Sequence, residues 1–184
     1  MRMTIVLIVV LLITVPGLAQ DGLNSPYRRQ AESGLRGLDE KEIADLRSGA
    51  GMGLARAAEL NSYPGPRHVL DAIEQGRLPA SREERERIEQ VFNTMHGDAV
   101  RVGAKILAEE QQLEAGFRSA AMTEARLRSR VAAIAALQGD LRAIHLSAHL
   151  ATRRILSETQ IARYNEVRGY TAAQDKHDPR QHKH

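Results

Sequence analysis

Between Ser81 and Ile155 apolar side chains return every three or four residues. They run first as Ile88, Phe92, Met95, Ala99, Val102, Ile106 and Leu113, then as Leu127, Val131, Ile134, Leu137, Leu141, Ile144, Ala148, Ala151 and Ile155. That is the period of an amphipathic helix with one buried stripe. No proline interrupts either run. Gly116 to Ala121 breaks the pattern, and Thr123 is placed to cap a restart in which Met122 packs on Leu127. Two helices of roughly 35 residues, rising about 1.5 Å per residue, make rods of about 50 Å, and so short a join predicts that they lie antiparallel. The expected fold is therefore all-α, a long helical hairpin with short flanking helices.

Helix starts are written into the polar positions. Leu156, Ser157, Gln160 and Ile161 fit a capping box with a hydrophobic staple: the Ser hydroxyl accepts from the third amide, the Gln side chain reaches back, and Leu156 packs on Ile161. Leu38, Asp39, Glu42 and Ile43 repeat the device, and Ser81 with Glu84 keeps the box without the staple, since Ala80 and Arg85 fill the outer positions. The first short helix is expected from Asp39 to about Arg47, a second from Met52 to Leu60, and a third from Pro66 to Gln75 with Gly76 as its stop. The last runs from Ser157 to Arg168 and ends at Gly169.

Outside the helices the pattern divides the chain. Residues 1–19 read as a signal peptide, with Arg2, an apolar run from Thr4 to Val15, and small residues at Gly17 and Ala19 ahead of cleavage before Gln20. A retained anchor is the alternative, but this run falls short of the roughly 20 residues that span a bilayer. Residues 20–66 read as a flexible N-terminal extension with short helices, an extended polar arm up to Gly37 being its first part. The helical domain follows over 67–170, and 171–184 is a polar tail expected to be disordered.

Composition narrows the function. The chain has 184 residues, 3% aromatics and no Trp, which suits long helices and not a thick core. No Cys is present, so disulfides and thiolate metal sites are excluded. A net charge of +3 is too even to argue for nucleic acid. One stripe on each rod leaves little core per residue, which predicts a homodimer.

The L-S-x-x-Q of residues 156–160, ahead of the last helix of a small exported helical protein, resembles the L-T-x-x-Q motif of the Spy/CpxP family of bacterial periplasmic stress proteins. That family includes periplasmic heavy-metal sensor and resistance proteins. The resemblance covers roughly Arg67 to Tyr170; the first copy, ASREE, lacks both the Leu and the Gln. It implies a periplasmic protein that holds unfolded clients without ATP, an adaptor on a membrane sensor protein, or a metal sensor.

Candidate chemistry is sparse. His145 and His149 lie four apart in HLSAH, hence on one helix face, without the Glu of a zinc peptidase. If the hairpin is symmetric about residue 119 or 120, His96 and Glu89 come within about a turn of them, and the four would suit Zn, Ni, Co or Cu. Half-buried histidines at the edge of an apolar stripe are the plainer explanation. No cofactor is required otherwise, no catalytic residue is identified, and the alternating Arg and Glu of residues 82–89 read as a solvated face. Gly49, Gly51 and Gly53 lack the strand and the spacing of a phosphate loop. An enzyme is not expected.

Overall fold

The structure, a computed structural model, describes residues 25–170; the leader expected over 1–19 and the tail expected over 171–184 lie outside them. The described residues 25–33 belong to a unit of their own, in which Arg28–Gln30 makes one 3-10 turn. From Gly34 onward six helices follow: α1 Glu40–Ser48, α2 Arg56–Glu59, α3 Pro66–Glu74, α4 Arg82–Arg118, α5 Glu124–Ile155 and α6 Glu158–Arg168. No strand occurs among the described residues. The chain is all-α, with two helices far longer than the rest.

Four of these six starts are capped by a side chain. Asp39, Ser81 and Ser157 all make complete capping boxes, with Glu42, Glu84 and Gln160 reaching back to the cap amides. Thr123 caps α5 by accepting from the Arg126 amide. These bonds satisfy amides that a helix N-terminus leaves without partners.

The ends differ from expectation where backbone or close packing intervenes. The short helix expected from Met52 is only Arg56–Glu59, because Met52 and Gly53 take left-handed backbone at φ 46° and 72°. The long break expected at Gly116 is instead the stretch 119–123, since α4 continues through Gly116 to Arg118. Met122 folds over the bare backbone of Gly116, where a Cβ would lie 2.3 Å from the Met122 methyl.

Helices α4 and α5 pack against each other from this turn onward, with Arg130 Nη1 at 2.7 Å from Glu109 Oε2 bridging them. One core cluster joins Ala99, Val102, Ile106 and Leu107 of α4 to Leu141 of α5, and is covered by Leu35 and Leu46. The segment expected as a flexible extension therefore belongs, from Gly34, to the packed unit. Leu38, Ile43 and Leu54 border the same cluster. Helix α1 approaches α4 so closely that a Cβ on Gly103 would sit 2.1 Å from the Leu46 carbonyl oxygen.

A second cluster gathers Val69, Ala72, Leu78, Ile88, Leu156, Ile161 and Tyr164, and so fastens α3 and α6 around the start of α4 and the end of α5. Leu156 and Ile161, the expected staple, are both buried in it.

Candidate functional site

Among the concave features of the packed unit two bear on function, and α5 supplies residues to both. The first is a groove of about 730 Å³ along the long pair, with Val91, Met95 and Val102 of α4 facing Leu137, Ile144 and Ala148 of α5. Its rim carries both signs of charge in Asp98, Arg101, Lys105 and Asp140. Met95, expected in the stripe, thus lines an accessible trough and not a sealed core.

The second feature is a cavity of about 350 Å³ lined by Glu59 and Arg56 of α2, His68 of α3, and His145 and His149 of α5, with Gly51 to Gly53 at its edge. Its geometry begins with the Tyr63-Pro64-Gly65-Pro66 turn. Ser62 adopts a left-handed backbone at φ 65°, Pro64, Gly65 and Pro66 are buried, and Pro66 opens α3. Three side chains hold the turn: Arg153 Nη1 donates to the Ser62 carbonyl at 2.9 Å, Asn165 Nδ2 to the Ser62 hydroxyl at 2.9 Å, and His149 Nδ1 to the Tyr63 carbonyl at 2.7 Å. A carbonyl only accepts, so Nδ1 of His149 carries a proton, and in the neutral ring the Nε2 lone pair is left for another partner.

Glu59 is the hub of this region. Its Oε1 accepts from the Tyr164 hydroxyl at 2.5 Å, the Tyr170 hydroxyl at 3.1 Å and Arg168 Nε at 3.2 Å. Its Oε2 accepts from the Gly65 amide at 3.1 Å and lies 3.7 Å from His149 Nδ1. A buried carboxyl group survives folding only with partners of this kind. Burial, then the bond to Glu59, raises the Tyr164 phenol well above its ordinary pKa.

His145 is 4% exposed, and its Nε2 has no hydrogen-bond partner. Burial, and then the neighbouring His149, lower its pKa, and burial followed by Arg168 lowers that of His68. Both shifts favour neutral imidazole, the form that offers a lone pair.

The expected set of His145, His149, His96 and Glu89 is only half assembled. His145 and His149 share the cavity, but His96 stacks on Phe92 with ring centroids 5.6 Å apart, and Glu89 accepts from Arg85 at 2.8 Å. The reason is helical phase. Ile144 and Ala148 face α4, and each histidine follows one of them, turned about 100° round the helix, toward α2 and the Tyr63 turn instead. Among the described residues no three His, Asp or Glu side chains stand close enough, as they are, to hold an ion. Glu59, His68 and Tyr164 are absent from the sequence-level set. The one local hint for Tyr164 is its spacing three after Ile161 on the buried face of α6.

Comparison with known proteins finds no family model, no curated protein and no solved structure that matches the chain. No helix among the described residues is long and apolar enough to cross a membrane.

Proposed function

We propose that this chain is a periplasmic envelope-stress protein of Spy/CpxP type, a dimeric helical hairpin that binds unfolded protein segments without ATP. The observation that supports the reading is the groove between α4 and α5. Its apolar floor and two-signed rim suit extended polypeptide in which apolar and charged side chains alternate, and demand no single sequence. Such a surface acts by adsorption, so it needs no reaction centre. The reading also carries the signal peptide, the periplasmic location and the client partners with it.

The test is suppression of aggregation of an unrelated client in the absence of nucleotide. Suppression at stoichiometric amounts, weakened by Met95→Glu in the groove with circular dichroism unchanged, supports the reading. No suppression by the wild-type chain removes it.

A second reading, a metal-responsive sensor or resistance protein, is favoured by one observation: the buried, unpartnered Nε2 of His145 beside His149. Imidazole pairs suit Zn, Ni, Co and Cu. Titration of the wild type, His145→Ala and His149→Ala with these ions tests it. Equal binding by all three sinks it.

A further inference from the structure

We infer that Glu59 is the carboxylate ligand of a divalent transition-ion site shared with His145 and His149, and that helix α6 holds this ligand in place. The inference rests on the metal reading above and adds to it the third donor and a coupled element.

Four observations converge on one cavity. His145 presents a buried ring nitrogen that nothing satisfies; such a group destabilises the fold unless something else uses it. The Nδ1 of His149 is committed to the Tyr63 carbonyl, which fixes the ring and leaves Nε2 for an ion. A backbone carbonyl on the far nitrogen is the usual support of a metal-ligating histidine. Glu59 divides its two oxygens, with Oε1 held by Tyr164, Tyr170 and Arg168, and Oε2 on the side of Gly65 and His149. Finally, His145, His149, Glu59 and His68 line the same space.

The donors stand apart, so an ion must draw the His145 ring and Glu59 Oε2 toward the fixed His149 Nε2, with Oε2 giving up its bond to the Gly65 amide. Two imidazoles and one carboxylate form a three-ligand set for Zn, Co or Ni, with a fourth position open to water or to His68. Arg56 also lines the cavity and opposes a cation, which makes the carboxylate necessary and not incidental. Tyr164, Tyr170 and Arg168 then act as positioning residues. Because all three reach Glu59 from the α6 end of the chain, occupancy of the site and docking of α6 favour each other.

The experiment uses the full chain with Zn²⁺ by calorimetry and Co²⁺ by visible absorption. Glu59→Gln is expected to weaken Zn²⁺ binding at least tenfold and to alter the Co²⁺ bands, while His96→Ala and Glu89→Gln leave both unchanged. Tyr164→Phe keeps every ligand and is expected to weaken binding severalfold, and Zn²⁺ is expected to slow amide exchange in α6 of the wild type. If Glu59→Gln fails to fold by circular dichroism, Tyr164→Phe with the exchange measurement decides. Binding that is lost in His145→Ala yet unchanged in Glu59→Gln and Tyr164→Phe overturns the inference and leaves the metal reading standing. A wild-type chain that binds no ion overturns both.

Discussion

The side-chain amide of Gln160 donates to the Glu84 carboxylate at 3.2 Å, so the capping box that starts α6 is bonded to the one that starts α4. Gln160 also accepts from the Ser157 amide at 2.8 Å and donates to the Pro79 carbonyl at 3.0 Å, while Glu84 accepts from the Ser81 amide at 2.7 Å. Two local devices thereby become one tertiary contact. Beneath it Leu78, Ile88, Leu156 and Ile161 share a core cluster.

Gln160→Ala should lower stability by roughly 1 to 2 kcal/mol, because it removes half a capping box and the bonds to Pro79 and Glu84 together. It should also change a titration. The Ser81 amide, with further help from Gln160 and the Ser81 hydroxyl, holds the Glu84 carboxyl below its usual range. A depressed acid contributes stability above its unfolded pKa, and that contribution is lost as pH falls through the folded value. In Gln160→Ala the Glu84 carboxyl should titrate nearer to an ordinary glutamate, which carbon-detected NMR of the side chain would read.

Gly103→Ala should cost about 1 to 3 kcal/mol, the range for overpacking. The added methyl meets the Leu46 carbonyl and not a flexible side chain, so α1 must shift. Chemical denaturation gives the magnitude. A loss below a few tenths of a kcal/mol would mean that α1 does not sit on α4 as described.

Tyr164→Phe should cost roughly 1 to 3 kcal/mol through the bond lost from buried Glu59. The phenol is raised by burial and by Glu59, so its contribution is complete below an ordinary phenol pKa of about 10 and is lost as pH rises beyond it. In alkali the folded protein should therefore show one phenolate fewer than the unfolded chain by ultraviolet difference absorbance. Tyr164→Phe should abolish that deficit.

His145→Leu should raise stability by about 1 to 2 kcal/mol in metal-free buffer, since it replaces a buried, unpartnered ring nitrogen with apolar surface. A higher thermal midpoint together with lost ion binding would mark His145 as a residue kept for function. A lower midpoint would show that its ring is held by packing that Leu cannot reproduce.

The helices were legible because their causes are local. Periodicity located α4 and α5, and each Ser or Asp cap lies within three residues of its partner, so Asp39, Ser81, Thr123 and Ser157 could be read from spacing alone. The cavity was half legible. HLSAH named His145 and His149, but symmetry about the turn assigned their neighbours to α4, whereas helical phase points the pair to α2. Glu59 gave no signal of its own. It lies in a four-residue helix, and its partners Tyr164, Arg168 and Tyr170 come from the far end of the described chain, a pairing that no window of sequence contains.

The turn at Tyr63 also bears on the order in which the molecule assembles. Its bonds to His149 and Arg153 close loops of 86 and 91 residues, and Glu59 reaches Tyr164 across 105. Closing such loops is entropically expensive until α4 and α5 have brought their ends together. This clasp should then be among the last parts to form and the first to open, so that digestion by protease under native conditions should begin between α2 and α3 while the long pair stays intact.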